Sequence, residues 1–281
     1  MTEKTNIWVR IGKLDRRLLM WALVVSVALS GVYPITFPIA VTDPVQRAYG
    51  IIQSLNQGDL AIMAPDFSAA SYTAVGASGI AMIEHMMKRG AGIVFVSSFI
   101  ADSVAMALRM QTGAKIDSQY KYGVDYVNLG YIPGSEAFVN ALALDFRANV
   151  KTDVRGTPIG DIPLMSKVKT AKDFKVVICL SSADAIQWWA KHWALQLGTK
   201  VIAGMSGGTV NLALPYYPGR GVDAYINDVV GGGQYEFLLG IPGQATIALG
   251  MQNMSHLWMF FWIGLGNLAA AMEILGRKHG R

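Results

Sequence analysis

The stretch Gly204-Met205-Ser206-Gly207-Gly208-Thr209 follows the apolar run Lys200 to Ala203 and matches the G-x-S-x-G spacing of a nucleophile elbow. In an elbow the serine hydroxyl attacks an acyl carbon, a histidine later in the chain takes its proton, and backbone N–H groups hold the oxyanion. Only His256 and His279 follow Ser206, one at the edge of an apolar segment and the other in a basic tail. His85 and His192 precede it, inside helical patterns. The segment GGTVNLALP behind the serine is also poor material for the helix an elbow requires, with two glycines, a β-branched pair and a proline. A glycine-rich turn is the plainer reading of Ser206, and a serine hydrolase is the alternative.

Other chemistries have less to stand on. The first strand runs into APDFSAAS, which contains no glycine, so the dinucleotide fingerprint and the P-loop are both missing where they would have to be. The four histidines are scattered and Cys179 is the single cysteine, so neither disulfides nor a cysteine-based metal site is expected, and no cofactor is implied. Cys179 itself, inside KVVICL, reads as a small core residue. In open parallel sheets ligands sit at the carboxyl ends of strands. That rule singles out a hydroxyl-rich rim of Asp66, Ser97, Ser98, Asn128, Ser181, Ser182 and Ser206. Asp66, Ser182, Ser206, Gly207 and Gly208 are its candidate ligand-binding residues.

The elements that must position these residues are short apolar runs alternating with helical patterns, the signature of βαβ units. Strands are expected at 60–66, 91–99, 124–130, 174–182 and 200–206, each nearly continuous in apolar residues, as when helices cover both faces of a sheet. The expected fold is α/β, a doubly wound, mostly parallel sheet of about five strands, Rossmann-like or flavodoxin-like, flanked by two transmembrane helices. Residues 151–172 read as a long excursion before the fourth strand. Residues 222–240 read as a last helix broken by three glycines.

The bulk composition points to a membrane: 52% of the residues are hydrophobic and only 15% are charged. Leu18 to Val41 carries no charge over 24 residues, enough to cross a hydrocarbon core of about 30 Å. A secretory signal peptide is its rival reading, from the basic start and the small residues of ALS. Leu257 to Leu275 is a second apolar stretch, with Trp258 and Trp262 toward its start and basic residues after it. The expected domains are a basic tail (1–17), a first span (18–41), an α/β domain (42–253), a second span (254–275) and a basic tail (276–281).

Charge gives an orientation. Lys4, Arg10, Lys13, Arg16 and Arg17 against Glu3 and Asp15 leave the first tail at +3, and Arg277, Lys278 and Arg281 against Glu273 leave the end at +2. The positive-inside rule then puts both termini in the cytoplasm and the domain outside it. The remaining 16 basic and 16 acidic residues cancel, so no basic face fit for nucleic acid is expected.

Two groups of residues suggest partners. Trp188, Trp189 and Trp193 lie on one helical pattern, and neighbours 188 and 189 point about 100° apart, so all three are hard to bury against one sheet face. At least one is expected at a protein or membrane surface, the rival being a wide apolar face. Gly266 and Ala270 share a face of the second span, as do Gly264 and Ala271, and such faces admit a second helix closely, with Asn267 as a hydrogen-bonder. Small residues are also simply common in membrane helices.

The segments KYGVDYVNLGYIPGSEAFVNALALDF, GTPIGDIPLM, DFKVVICLSS and QYEFLLG resemble a family of uncharacterised bacterial membrane proteins with a Rossmann-like α/β domain between terminal membrane helices. The similarity runs over most of residues 55–275 and implies an architecture on a bacterial inner membrane, with no activity and no catalytic residues. The functional expectation is a non-enzymatic subunit of a larger membrane assembly, in contact with lipid, with copies of itself and with other membrane proteins. A membrane-anchored ligand-binding protein or hydrolase working around Ser206 is the alternative.

Overall fold

The continuous apolar runs form the strands of one parallel sheet: β1 (Leu60–Asp66), β2 (Gly92–Ser97), β3 (Tyr126–Tyr131), β4 (Phe174–Ser181), β5 (Lys200–Met205) and β6 (Ala224–Asn227). Their order is β3-β2-β1-β4-β5-β6, with every neighbouring pair parallel. The computed structural model describes residues 14–33 and 40–279. It comprises two compact units, Pro38–Thr246 and the pair Met1–Phe37 with Ile247–Arg281.

The helices are α1 (Arg16–Val32), α2 (Asp43–Gln53), α3 (Ala77–Arg89), α4 (Ser103–Gly113), α5 (Ser135–Leu144), α6 (Phe146–Asn149), α7 (Ala185–Trp189), α8 (Leu195–Leu197), α9 (Val210–Ala213), α10 (Asp228–Leu239) and α11 (Gln244–His279). Alternate residues of each strand feed opposite cores. Leu60, Ile62 and Ala64 join a cluster with Phe138, Trp189 and Trp193, while Ala61 and Met63 join one with Ile52, Met82, Met110 and Tyr235. The crossovers α5 to α9 therefore cover one face and α2, α3, α4 and α10 the other. Being buried on both sides is what selects unbroken β-branched and apolar runs.

The sheet has six strands rather than five. Residues 222–240 are not one broken helix but β6 followed by an unbroken α10. The triple glycine permits close packing: a Cβ at Gly231 would lie 3.3 Å from the backbone of Ile226, and one at Gly232 would lie 2.8 Å from Ala245 Cβ. The excursion over 151–172 holds only short 3₁₀ turns, Ile159–Asp161, Pro163–Lys167 and Ala171–Asp173, the last fixed by a capping box between Thr170 and Asp173.

The second unit holds α1 and most of α11, over the two expected spans. Among the described residues one helix is long and apolar enough to cross a membrane, the Gln244–Leu275 part of α11, and its most apolar 18-residue window is almost entirely unburied. It begins well before residue 254. Helix α1 has 17 residues, about 25 Å, and ends at Val32 because Tyr33 precedes Pro34 and is disfavoured in the α region. Residues 34–39 of the expected first span lie outside the described residues.

Candidate functional site

The strand order reverses between β1 and β4, and at that point in an open sheet the carboxyl ends leave a crevice. Asp66 ends β1 there, opposite Ser181. It is completely buried. Its Oδ1 accepts from the Ser97 hydroxyl and, at 3.3 Å each, from the Ser98 and Phe99 N–H groups, while Oδ2 accepts from Trp189 Nε1 at 3.2 Å. Burial pushes the Asp66 carboxyl up, and the bonds from Ser97, Trp189, Phe99 and Ser98 pull it back. The side chain thus ties β1, the end of β2 and α7 together. With both oxygens engaged and no solvent access, it is a clamp at the crevice rather than a group offered to a ligand.

The Ser206 loop does not have the geometry of a nucleophile elbow. Ser206 sits at φ −74°, ψ 154°, ordinary extended backbone without the strain of an elbow. Its hydroxyl lies 3.1 Å from Thr209 Oγ1, not against a histidine. The N–H of Gly207, the group an oxyanion would need, donates instead to Asp228 Oδ2 at 3.0 Å. Behind it come a 3₁₀ turn (Gly207–Thr209), α9 and a second 3₁₀ turn, the broken path that glycine and proline dictate. Gly208 is exposed, with open space around it.

The upstream histidines are held elsewhere. His85 Nδ1 is 2.7 Å from the Tyr235 hydroxyl and Nε2 is 2.8 Å from Gln53 Oε1, and burial, then Lys88 and Arg89, lower its pKa to about 4. His192 Nε2 is 3.0 Å from Glu136 Oε1, which Lys191 also engages at 2.6 Å. The other rim hydroxyls are spent locally. Ser98 Oγ donates to Ser135 O and Ser181 Oγ to Ala183 O, while Asn128 Oδ1 accepts from the Gly130 N–H. Ser182 is half-buried beside them. The structure therefore brings Gly207 to Asp228 and Asp66 to Trp189, and strand register sets Asp66, Ser181 and Met205 in one row, with Ser182 and Ser206 next along the chain. Cys179 is buried at the centre of β4 with its thiol pushed up by burial, an inert core residue.

The tryptophans divide. Trp189 and Trp193 are 1% and 0% exposed and pack against each other at 5.3 Å, so neither is available as a surface contact. A π-helical turn over Ala190–Ala194 widens the helix between them and carries both into the core. Trp188 remains half-buried against Phe99. On α11, Gly264, Gly266, Asn267 and Ala270 are all exposed, and a Cβ at either glycine would meet nothing.

One polar cluster had only a faint sequence signal. Glu236 of α10 is 3% exposed and accepts from the N–H groups of Gly243 (2.8 Å), Ala245 (2.9 Å) and Thr246 (2.7 Å) and from the Thr246 hydroxyl (2.6 Å). It satisfies the orphan donors at the start of α11 and complements that helix's dipole. A glutamate in the apolar QYEFLLG, just before Pro242, was the available clue.

Fold and strand-end geometry together define an α/β protein with a six-stranded parallel sheet, a buried, fully engaged carboxylate at its switch point and, among the described residues, one helix of membrane-spanning length. No family model, curated protein or solved structure matches the chain.

Proposed function

We propose that the protein is a non-enzymatic membrane subunit, anchored by α11, whose α/β domain and helices associate with copies of itself or with other membrane proteins. The observation that carries this reading is the apolar Gln244–Leu275 stretch, long enough to span and with its most apolar 18-residue window almost entirely unburied. Exposed Leu257, Phe260, Phe261 and Ile263 on α11 need lipid or protein around them. So do Leu18, Trp21, Leu29 and Val32 on α1. The two helices already touch, since Gly31 lies against Met251 and a cavity of about 440 Å³ is lined by Ser26, Met254, Leu257, Trp258 and Phe261.

The finer arrangement is a two-pass inner-membrane protein with both basic tails in the cytoplasm and a Rossmann-like domain outside. It rests on the tail charges, on the strand order and on the resemblance to bacterial two-pass membrane proteins. The engaged Asp66 carboxylate and Gly207 N–H favour assembly over catalysis at Ser206. Alkaline carbonate extraction of native membranes tests the anchor: the protein stays in the pellet, and its release to the supernatant refutes the reading.

A further inference from the structure

We propose that the cavity at the carboxyl end of β3 binds a small organic anion with an apolar body, of the aryl or acyl carboxylate class. This cavity, about 500 Å³, lies away from the switch-point crevice and within the range of small-molecule sites. It opens at the carboxyl end of the edge strand β3. Leu129 and Gly130 of β3, Val104 of α4, and Lys151, Asp153 and Val154 of the loop that follows are among the residues that line it.

The cavity is built before any ligand arrives. Asp153, 5% exposed, organises the loop that carries Lys151 to Val154. Its Oδ1 accepts from the Arg155 and Thr157 N–H groups at 2.9 and 2.8 Å, and its Oδ2 from the Tyr122 hydroxyl at 2.8 Å. The Val154 N–H donates to Asn128 O at 3.0 Å, which pins the loop to β3. Arg155 is held 3.4 Å over the Tyr122 ring. Gly130, at φ +78°, lets Val154 approach: a Cβ there would lie 2.8 Å from Val154 Cγ1.

The charge balance selects the ligand. Asp153 is the only acid in the lining and its oxygens are engaged, so it offers nothing to a cation. Lys151 is the only base in the lining, is exposed, and forms no ion pair among the described residues. Val104 and Val154 are 37% and 47% exposed and add apolar surface to the same lining. An anionic group on an apolar body satisfies both halves.

The test uses the full chain in mild detergent and 2-naphthoate as the probe, titrated by calorimetry against detergent alone. Wild type should bind saturably, Lys151→Glu should weaken binding roughly tenfold or more, and Lys151→Arg should keep it, because the charge matters. Val154→Trp should also abolish binding by filling the cavity. Lys175→Glu, on an exposed residue at the start of β4, should bind as wild type does. Absence of saturable binding by wild type, or binding by Lys151→Glu within twofold of wild type, overturns the proposal.

Discussion

Replacing Asp66 by alanine tests whether this carboxylate is a structural clamp. The change removes the acceptor for four donors, Ser97 Oγ, the Ser98 and Phe99 N–H groups and Trp189 Nε1, at a position with no solvent access. Each buried donor left unpaired costs about 1–3 kcal/mol. Removing a buried charge, and inward movement of neighbours or water, offset part of that, so a net loss of about 3–5 kcal/mol is expected, in the range of broken buried networks. For a domain of this size that lowers the melting temperature by roughly 6–20 °C. Asp66→Asn should be milder: Oδ1 keeps its three donors and only Trp189 Nε1 meets a donor instead of an acceptor, a loss of about 1–2 kcal/mol. Trp189→Phe combined with Asp66→Asn should cost less than the two losses added, because they share one contact. Thermal unfolding of the full chain in detergent reads all four variants. An Asp66→Ala protein melting within about 2 °C of wild type would refute the clamp.

His85 has its pKa lowered to about 4 from 6.5, so between those values the unfolded chain binds more protons than the folded one. Stability is then complete above pH 6.5 and falls as the pH drops toward 4, by about 3 kcal/mol at most, and His85→Gln should remove that part of the slope in denaturant titrations. Glu236→Ala leaves three N–H groups and one hydroxyl at the start of α11 without their acceptor, so stability should fall by about 2–4 kcal/mol. Amide exchange at Ala245 and Thr246 should quicken with it, and unchanged protection there contradicts the cap. A fluorophosphonate probe should label wild type and Ser206→Ala equally poorly, since Gly207 N–H is committed to Asp228, and labelling lost only in Ser206→Ala would restore the hydrolase reading.

The sheet was largely legible because burial on both faces leaves a strong mark. The run 60–66 became β1 over the same residues, and KVVICL lies wholly within β4. Strand β6 escaped because AYIN is short, sits at the sheet edge and alternates between buried and half-buried residues, so it has no continuous apolar run. The glycines after it looked like helix breakers, because sequence shows their propensity and not the close neighbours of Gly231 and Gly232, Ile226 and Ala245. The tryptophans misled for a related reason: the 100° step holds for an α-helix, and the π-turn at Ala190–Ala194 changes the step. Asp66 was visible as a strand-end acid, but its partner Trp189 lies 123 residues on, beyond any local pattern.

The central claim is that α11 anchors an assembly subunit, with Gly264, Gly266, Asn267 and Ala270 open to a neighbouring helix. The most direct measurement is the mass of the particle purified from its native membrane in mild detergent, beside that of Gly266→Leu. The account predicts a particle of fixed stoichiometry, larger than one chain, that the substitution breaks into smaller species. A lone 30.4 kDa chain in the wild-type preparation would contradict it.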